Sequence, residues 1–295
     1  MVENVEQHMR FESRLLVGGV FSPQDIKTVL LDEDISVPDR LRSSVEEAWK
    51  PKEERGWKPL QLVSLYSYQL HDGRLEQVFK RTNGKDFIGA SNWNSWKEAE
   101  MELDLESIPN PLVTSSVVVT ADNKMIIQLR GESSHQSGNI DALGGHIDID
   151  KDVNRETKEV DLFGAASREV DEEVGLTRRH ITDVKCLGLV YNFHDTSHYA
   201  MPFVFRTSLT SQEVLELKRS EEETSQVRLM VVDPSRIRTP EDDTNVFNVI
   251  REYYPNVDPE ARITIILAMA YMEGISKPSR VYADENKIKE IYSSI

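Results

Sequence analysis

Short strand-like runs, rich in apolar residues and bounded by turn formers or polar stretches, recur along the chain. The clearest lie at 14–21, 60–71, 74–82, 113–120, 124–129, 184–192, 199–208 and 226–232, and each predicts a strand. Two pairs of runs are joined by turn formers. Asp72-Gly73 separates 60–71 from 74–82, and Asp122-Asn123 separates 113–120 from 124–129. Both junctions predict hairpins. Helical spacing appears instead at 40–49, 161–174, 211–217 and 259–272, with a charged helix near 95–103. Ser22-Pro23 reads as a helix N-cap followed by proline at the first helical position. Ile108-Pro109-Asn110-Pro111 breaks regular structure and favours an extended linker. A boundary placed there gives an N-terminal α/β domain at 1–108 and a second domain at 112–295. Strands and helices are mixed and hairpins predominate, so the pattern predicts α+β architecture rather than a regular βαβ series.

Composition then narrows the functions. The 295 residues are 39% hydrophobic, enough for a sizeable core, and carry 35 Lys+Arg against 51 Asp+Glu, a formal net charge of -16. A surface this acidic repels phosphate backbones and anionic lipid, so nucleic-acid and membrane-surface roles are excluded. The single cysteine, Cys186, sits in an apolar run and reads as core; it rules out a disulfide framework and a cysteine-based zinc site. The first ten residues lack the apolar stretch of a signal peptide, and the longest apolar run, 263–272, is too short for a bilayer. These features predict a cytoplasmic chain. No GxGxxG follows a strand and no Walker A sequence occurs, so the dinucleotide-fold and P-loop readings lack their motifs.

The chemistry concentrates in the helix at 161–174. Asp161 reads as its N-cap and Gly175 as the residue just past its end. Phe163, Ala166, Val170 and Val174 form one apolar stripe. Glu169 and Glu173 lie four apart on a neighbouring face, with Glu172 beside them. Like charges at that spacing cost about 0.2–0.5 kcal/mol, and acids in a last turn oppose the helix dipole. One reading is a solvated acidic face. The other is a site for a divalent cation, which reverses both penalties; hard oxygen donors on a rigid helix suit Mg²⁺ or Mn²⁺.

The string Arg168-Glu169-Val170-Asp171-Glu172-Glu173-Val174-Gly175-Leu176 resembles the end of the Nudix box, R-E-U-x-E-E-x-G-U with U apolar. Its chance occurrence in one chain is on the order of one in 10⁴ to 10⁵, which favours the cation reading. Gly144-Gly145 resembles the glycine turn that opens the box. The family places a Glu eight residues before the Arg; here that position is Val160, and the gap from glycine turn to helix is longer by nine residues. Glu156 and Glu159 are the nearby acids that would stand in. The resemblance implies a Nudix α/β/α sandwich with a mixed sheet. It implies that Glu169 and Glu173 bind the catalytic metal and that Glu172 binds a second metal or its waters. Arg168 would orient the glutamates, and the Gly145 carbonyl would add a ligand. The implied reaction is hydrolysis of a nucleoside diphosphate linked to another moiety.

Two further segments resemble the UDP-sugar diphosphatase branch of the family. One is Ile140-Asp141-Ala142-Leu143-Gly144-Gly145-His146 with Asp148, similar to V-D-V-P-G-G-H-x-E. The other is Asp86-Phe87-Ile88-Gly89-Ala90-Ser91-Asn92-Trp93, similar to D-F-[LV]-G-T-N. The likeness implies that Asp141, His146 and Asp148 contact substrate. Arg130, at a strand end before this loop, is placed to reach phosphate. The acidic run 221–223 reads as a solvated charge run, and the resemblance offers Glu223 in it as the candidate base or ligand. Phe87 and Trp93 read as core aromatics and Asn92 as a turn residue. The implied activity is Mg²⁺-dependent cleavage of UDP-glucose or UDP-galactose to UMP and sugar 1-phosphate. Two alternatives stay open: a Nudix hydrolase for another nucleotide such as ADP-ribose, and a non-catalytic nucleotide-binding module. The sequence specifies no oligomeric state.

Overall fold

The computed structural model describes residues 13–35, 37–91, 109–131, 138–192, 198–219, 227–234 and 257–272. In chain order these form β1 (Ser13–Phe21), β2 (Ile26–Asp34), α1 (Asp39–Glu53), β3 (Gln61–His71), β4 (Arg74–Asn83) and α2 (Gly84–Ser91). After the proline break come β5 (Leu112–Val119), β6 (Met125–Arg130), β7 (Ile140–Asp141), α3 (Ile149–Asp152) and α4 (Leu162–Val174). The remainder is β8 (Ile181–Asn192), β9 (His198–Thr207), α5 (Ser211–Leu215), β10 (Val227–Val232) and α6 (Pro259–Met272).

The larger sheet runs β1-β8-β9-β5-β6-β10, with β7 also on β6. All its pairings are antiparallel except β5 with β9. β5 lies at its centre and every residue of it is buried. Leu112 and Val118 enter the core under α4, while Val117 and Val119 enter a second core under α6. A strand covered on both faces buries side chains on both, so apolar residues of this run face each core. The architecture is thus a mixed sheet between α4 and α6. Both predicted hairpins form, and Asp72 and Asn123 take the left-handed φ values of 49° and 55° that their turns require.

The smaller sheet has the order β2-β4-β3. Its residues Leu30, Val63, Leu75 and Phe79 share one core with Leu112, Leu143, Ile147 and Leu162. β1, from the N-terminal side of the expected boundary, forms the edge of the larger sheet. Ser22 caps a helical turn with Pro23 at its first position, as read from the sequence, but the turn is short. The chain makes a single 3-10 turn at Pro23–Asp25 and then enters β2. The β-branched and leucine positions of Ile26, Val29 and Leu30 pair with Leu75, Val78 and Phe79 of β4, a long-range partner that no local pattern names. Residues 86–91, read only as a segment, belong to α2. Asn83 caps it, its Oδ1 accepting the Asp86 N–H at 2.9 Å. Asn92, Trp93 and the helix expected at 95–103 lie outside the described residues. Among the described residues no helix is long and apolar enough to cross a membrane.

Candidate active site

Helix α4 begins at Asp161, whose Oδ1 accepts the Gly164 N–H at 2.8 Å. It ends at Gly175, with φ 80° and its N–H bonded to the Asp171 carbonyl. Ala166, Val170 and Val174 are buried as the stripe requires, with Leu162 and Ala165 beside them; Phe163 is partly buried and meets the Phe203 ring edge-on. This rotation fixes where the acids go. Glu173 is buried at 6%, Glu169 is nearly so, and Glu172 stands half in solvent.

The glycine turn follows β7 and lies against β5. Gly144 has φ 148°, and a Cβ there would sit 2.0 Å from the Thr114 carbonyl oxygen. Only glycine fits. Its N–H donates to Glu173 Oε2 at 2.8 Å. The next residue faces the other glutamate: a Cβ on Gly145 would lie 2.8 Å from all three atoms of the Glu169 carboxylate. The Gly145 carbonyl accepts the Thr114 N–H at 2.9 Å. Two consecutive glycines thereby let two carboxylates of one helix lie against the turn.

Burial pushes the Glu169 carboxyl above its ordinary range, against the pull of Arg168, and Glu172 and Asp152 push the same way. A hard divalent cation suits this donor set of three carboxylates and a carbonyl, and would offset the crowding of acids. Among the described residues, however, no three acidic or imidazole side chains converge on one coordination point. Glu173 is held by the Gly144 amide and Glu169 by Arg168.

Arg168 corrects the expectation for the front acid. Glu156 and Glu159 are both exposed, and Val160 is a buried core residue. The acid that meets Arg168 is Asp152. Arg168 Nε donates to Asp152 Oδ1 at 3.2 Å and Nη2 to Oδ2 at 2.8 Å. The other edge of the guanidinium serves the glutamates, with Nη1 at 2.6 Å from Glu169 Oε1 and 3.4 Å from Glu172 Oε2. Burial disfavours the Arg168 charge, but the bonds to Asp152 and the field of Glu169 outweigh it, and its pKa rises. Sequence spacing missed Asp152 because a nine-residue excursion separates it from its family position. The available signal was its place four residues after Asp148.

Of the residues expected to contact substrate, Arg130 and Asp141 precede the turn and His146 and Asp148 follow it. Arg130 and Asp141 form an ion pair, Nε to Oδ2 at 2.6 Å. Burial raises the Asp141 carboxyl; Arg130 opposes this and Asp258 adds to it. A third of the Arg130 side chain remains exposed. His146 packs edge-on against Phe87, ring centroids 5.6 Å apart. Burial, followed by the charges of His198 and Arg130, lowers its pKa to about 4, so it is neutral at pH 7. Asp148 is buried, and its Oδ1 accepts the Asp150 N–H at 2.9 Å, capping α3. Asp258, which the sequence did not single out, hydrogen-bonds Ile140 through its backbone and caps α6 through its carboxylate. Glu223 lies outside the described residues.

Comparison with known proteins finds a family match over this part of the chain. Residues 110–253 match the model of the NUDIX domain. Two curated proteins, both named uridine diphosphate glucose pyrophosphatase NUDT22, align over 151 residues. The protein from Mus musculus is 26% identical, over 45% of this chain and 49% of its own. That from Bos taurus is 25% identical, over 45% of this chain and 52% of its own. The chain thus spans about half the length of the curated relatives it matches. Among solved structures, DR0079 from Deinococcus radiodurans matches 53% of this chain and 82% of its own at 12% identity, with a TM-score of 0.35.

Proposed function

This chain carries a NUDIX domain at residues 110–253, and on that premise we propose that it is a metal-dependent hydrolase of nucleoside-diphosphate sugars. Its preferred substrates are UDP-glucose and UDP-galactose, cleaved to UMP and sugar 1-phosphate. The observation that carries the reading is the seating of Glu169 and Glu173 against the Gly144-Gly145 turn. That arrangement has no evident structural purpose, since it buries like charges four residues apart. It makes sense as a cation site. The name shared by the two relatives supports the substrate class, as does the 140–148 segment.

When bound, a divalent cation held by Glu169, Glu173 and Glu172 with the Gly145 carbonyl supplies an activated water and neutralises charge developing on phosphorus. The chain's own residues set the rest. Arg168 keeps Glu169 and Glu172 on one side of the helix. The Gly144 amide holds Glu173 in place. Neutral His146 donates to a phosphate oxygen without adding charge, and Arg130, kept extended by Asp141, faces the substrate with its exposed edge. Asp152 supplies Arg168 with the acid that Val160 cannot, which favours a catalytic site over a non-catalytic nucleotide-binding module.

The test is a substrate panel. Purified protein with Mg²⁺ should release UMP from UDP-glucose and UDP-galactose, and release should stop with chelator. Cleavage of ADP-ribose with the UDP-sugars left intact would overturn the substrate assignment. Tight nucleotide binding without turnover would overturn the enzymatic one.

A further inference from the structure

The excursion between glycine turn and box helix is anchored to the small N-terminal sheet. Thr28 of β2 bonds Val160 twice: its Oγ1 donates to the Val160 carbonyl and accepts the Val160 N–H, each at 2.9 Å. The Leu30 N–H donates to the Lys158 carbonyl at 2.8 Å, and Lys158 Nζ reaches Asp32 Oδ1 at 2.9 Å. Val160 in turn bridges Val153, and the Asp161 N–H donates to the Asp152 carbonyl at 2.8 Å. Asp152 is thus fixed at both its backbone and its carboxylate. Its Oδ2 also accepts the Asp148 N–H at 2.9 Å, and only 4% of the side chain is exposed.

We infer that Asp152 is the positioning residue of the metal site. Braced by Thr28 of the N-terminal sheet, it holds Arg168 so that Glu169 stays available to a divalent cation. The inference rests on the metal-dependent reading above. Its physical core is the division of one guanidinium between three carboxylates. Asp152 takes the Nε and Nη2 edge as a two-point pair, the strongest geometry a guanidinium offers. Only Nη1 is left for Glu169 and Glu172. Without Asp152 the whole fork is released to turn onto Glu169, the nearest acid, and an ion pair of that kind competes directly with a cation. Partners that orient metal ligands in this way typically contribute 10–100-fold to metal affinity. On this account the N-terminal sheet is part of the site, although it supplies none of the expected metal ligands.

The experiment is Mn²⁺ binding to the full chain without substrate, read from the electron paramagnetic resonance of free Mn²⁺, with circular dichroism to verify folding. D152N should weaken binding by about tenfold or more, while D152E, which keeps the carboxylate, stays within about threefold of wild type. T28V removes both bonds to Val160 without touching Arg168 and should weaken binding by roughly threefold or more. Steady-state turnover of a UDP-sugar by D152N should fall in kcat at saturating substrate, with KM little changed, and should recover partly at high Mn²⁺. Folded D152N with wild-type Mn²⁺ affinity overturns the inference. So does D152E losing as much as D152N, since the role is then packing. If D152N does not fold, T28V decides, and unchanged affinity there rejects the brace. A wild type that binds Mn²⁺ but cleaves no nucleotide sugar would sink the proposed substrate and leave the positioning role standing.

Discussion

The two glycines of the turn should fail in opposite ways when each is replaced by alanine. At Gly145 the nearest atoms to an added Cβ are the Glu169 carboxylate, at 2.8 Å from Cδ and both oxygens. Ordinary contact begins near 3.4 Å, so that carboxylate must retreat by about 0.6 Å, the difference of the two. The group is the far end of a flexible side chain, and an off-rotamer adjustment costs about 0.5–1.5 kcal/mol. The fold should therefore lose at most a few degrees of Tm. Activity should suffer far more, because misplacing a reacting group by about 1 Å costs on the order of 10²-fold, or roughly 2.7 kcal/mol of barrier. Gly144→Ala is the contrast. Its Cβ would lie 2.0 Å from the Thr114 backbone carbonyl, at φ 148°, and neither side can yield cheaply. That variant should lose more than about 3 kcal/mol of stability. Thermal melts and UMP release with Mg²⁺, run on both variants, separate the cases. Wild-type turnover in Gly145→Ala would show that Glu169 does not work where it sits against the turn. Equal destabilisation of the two variants would refute the distinction between flexible and rigid neighbours.

Three other outcomes follow from the same geometry. Glu173→Gln keeps an oxygen for the Gly144 amide but loses the charge, so it should fold normally and lose turnover by about 10²-fold or more in the UMP assay. A divalent cation should raise Tm, and by more near pH 7 than near pH 4.5. Burial raises the Glu169 carboxyl, so its contribution to stability is full below the unfolded value and lost as pH rises through the folded one; bound cation offsets that loss only where the carboxylate is ionised, and an equal gain at both pH values would refute it. Arg130→Ala strands Asp141, whose side chain is only 11% exposed. The loss should reach about 2–4 kcal/mol by denaturant unfolding, somewhat below a wholly buried pair because Arg130 is a third exposed, and Asp141→Asn in that background should restore part of it.

Some of the site was legible in the sequence and some was not, and the division follows the range of the interactions. The run from Arg168 to Leu176 was readable because one helix carries both the candidate ligands and the apolar stripe that aims them. The glycine turn was readable because the positive φ of Gly144 admits so few residues. Asp152 escaped because its role depends on where a nine-residue excursion returns the chain, and that return is set by Thr28 and Leu30, more than a hundred residues away. β2 escaped for the same reason, since its partner β4 lies some forty residues downstream. The pairing of Arg130 with Asp141 was also hidden: each was singled out, but only the β6–β7 register sets them on adjacent strands of one face.

By itself, then, the sequence determined what short-range physics can decide: the hairpins, the box helix with its caps, and the acids that its periodicity gathers on one side. Only the tertiary structure decided which acid grips Arg168, which glycine faces which glutamate, and that the N-terminal sheet holds the excursion carrying Asp152. Those outcomes depend on the close packing of segments distant in the chain, where a few tenths of an ångström separate an allowed neighbour from a forbidden one.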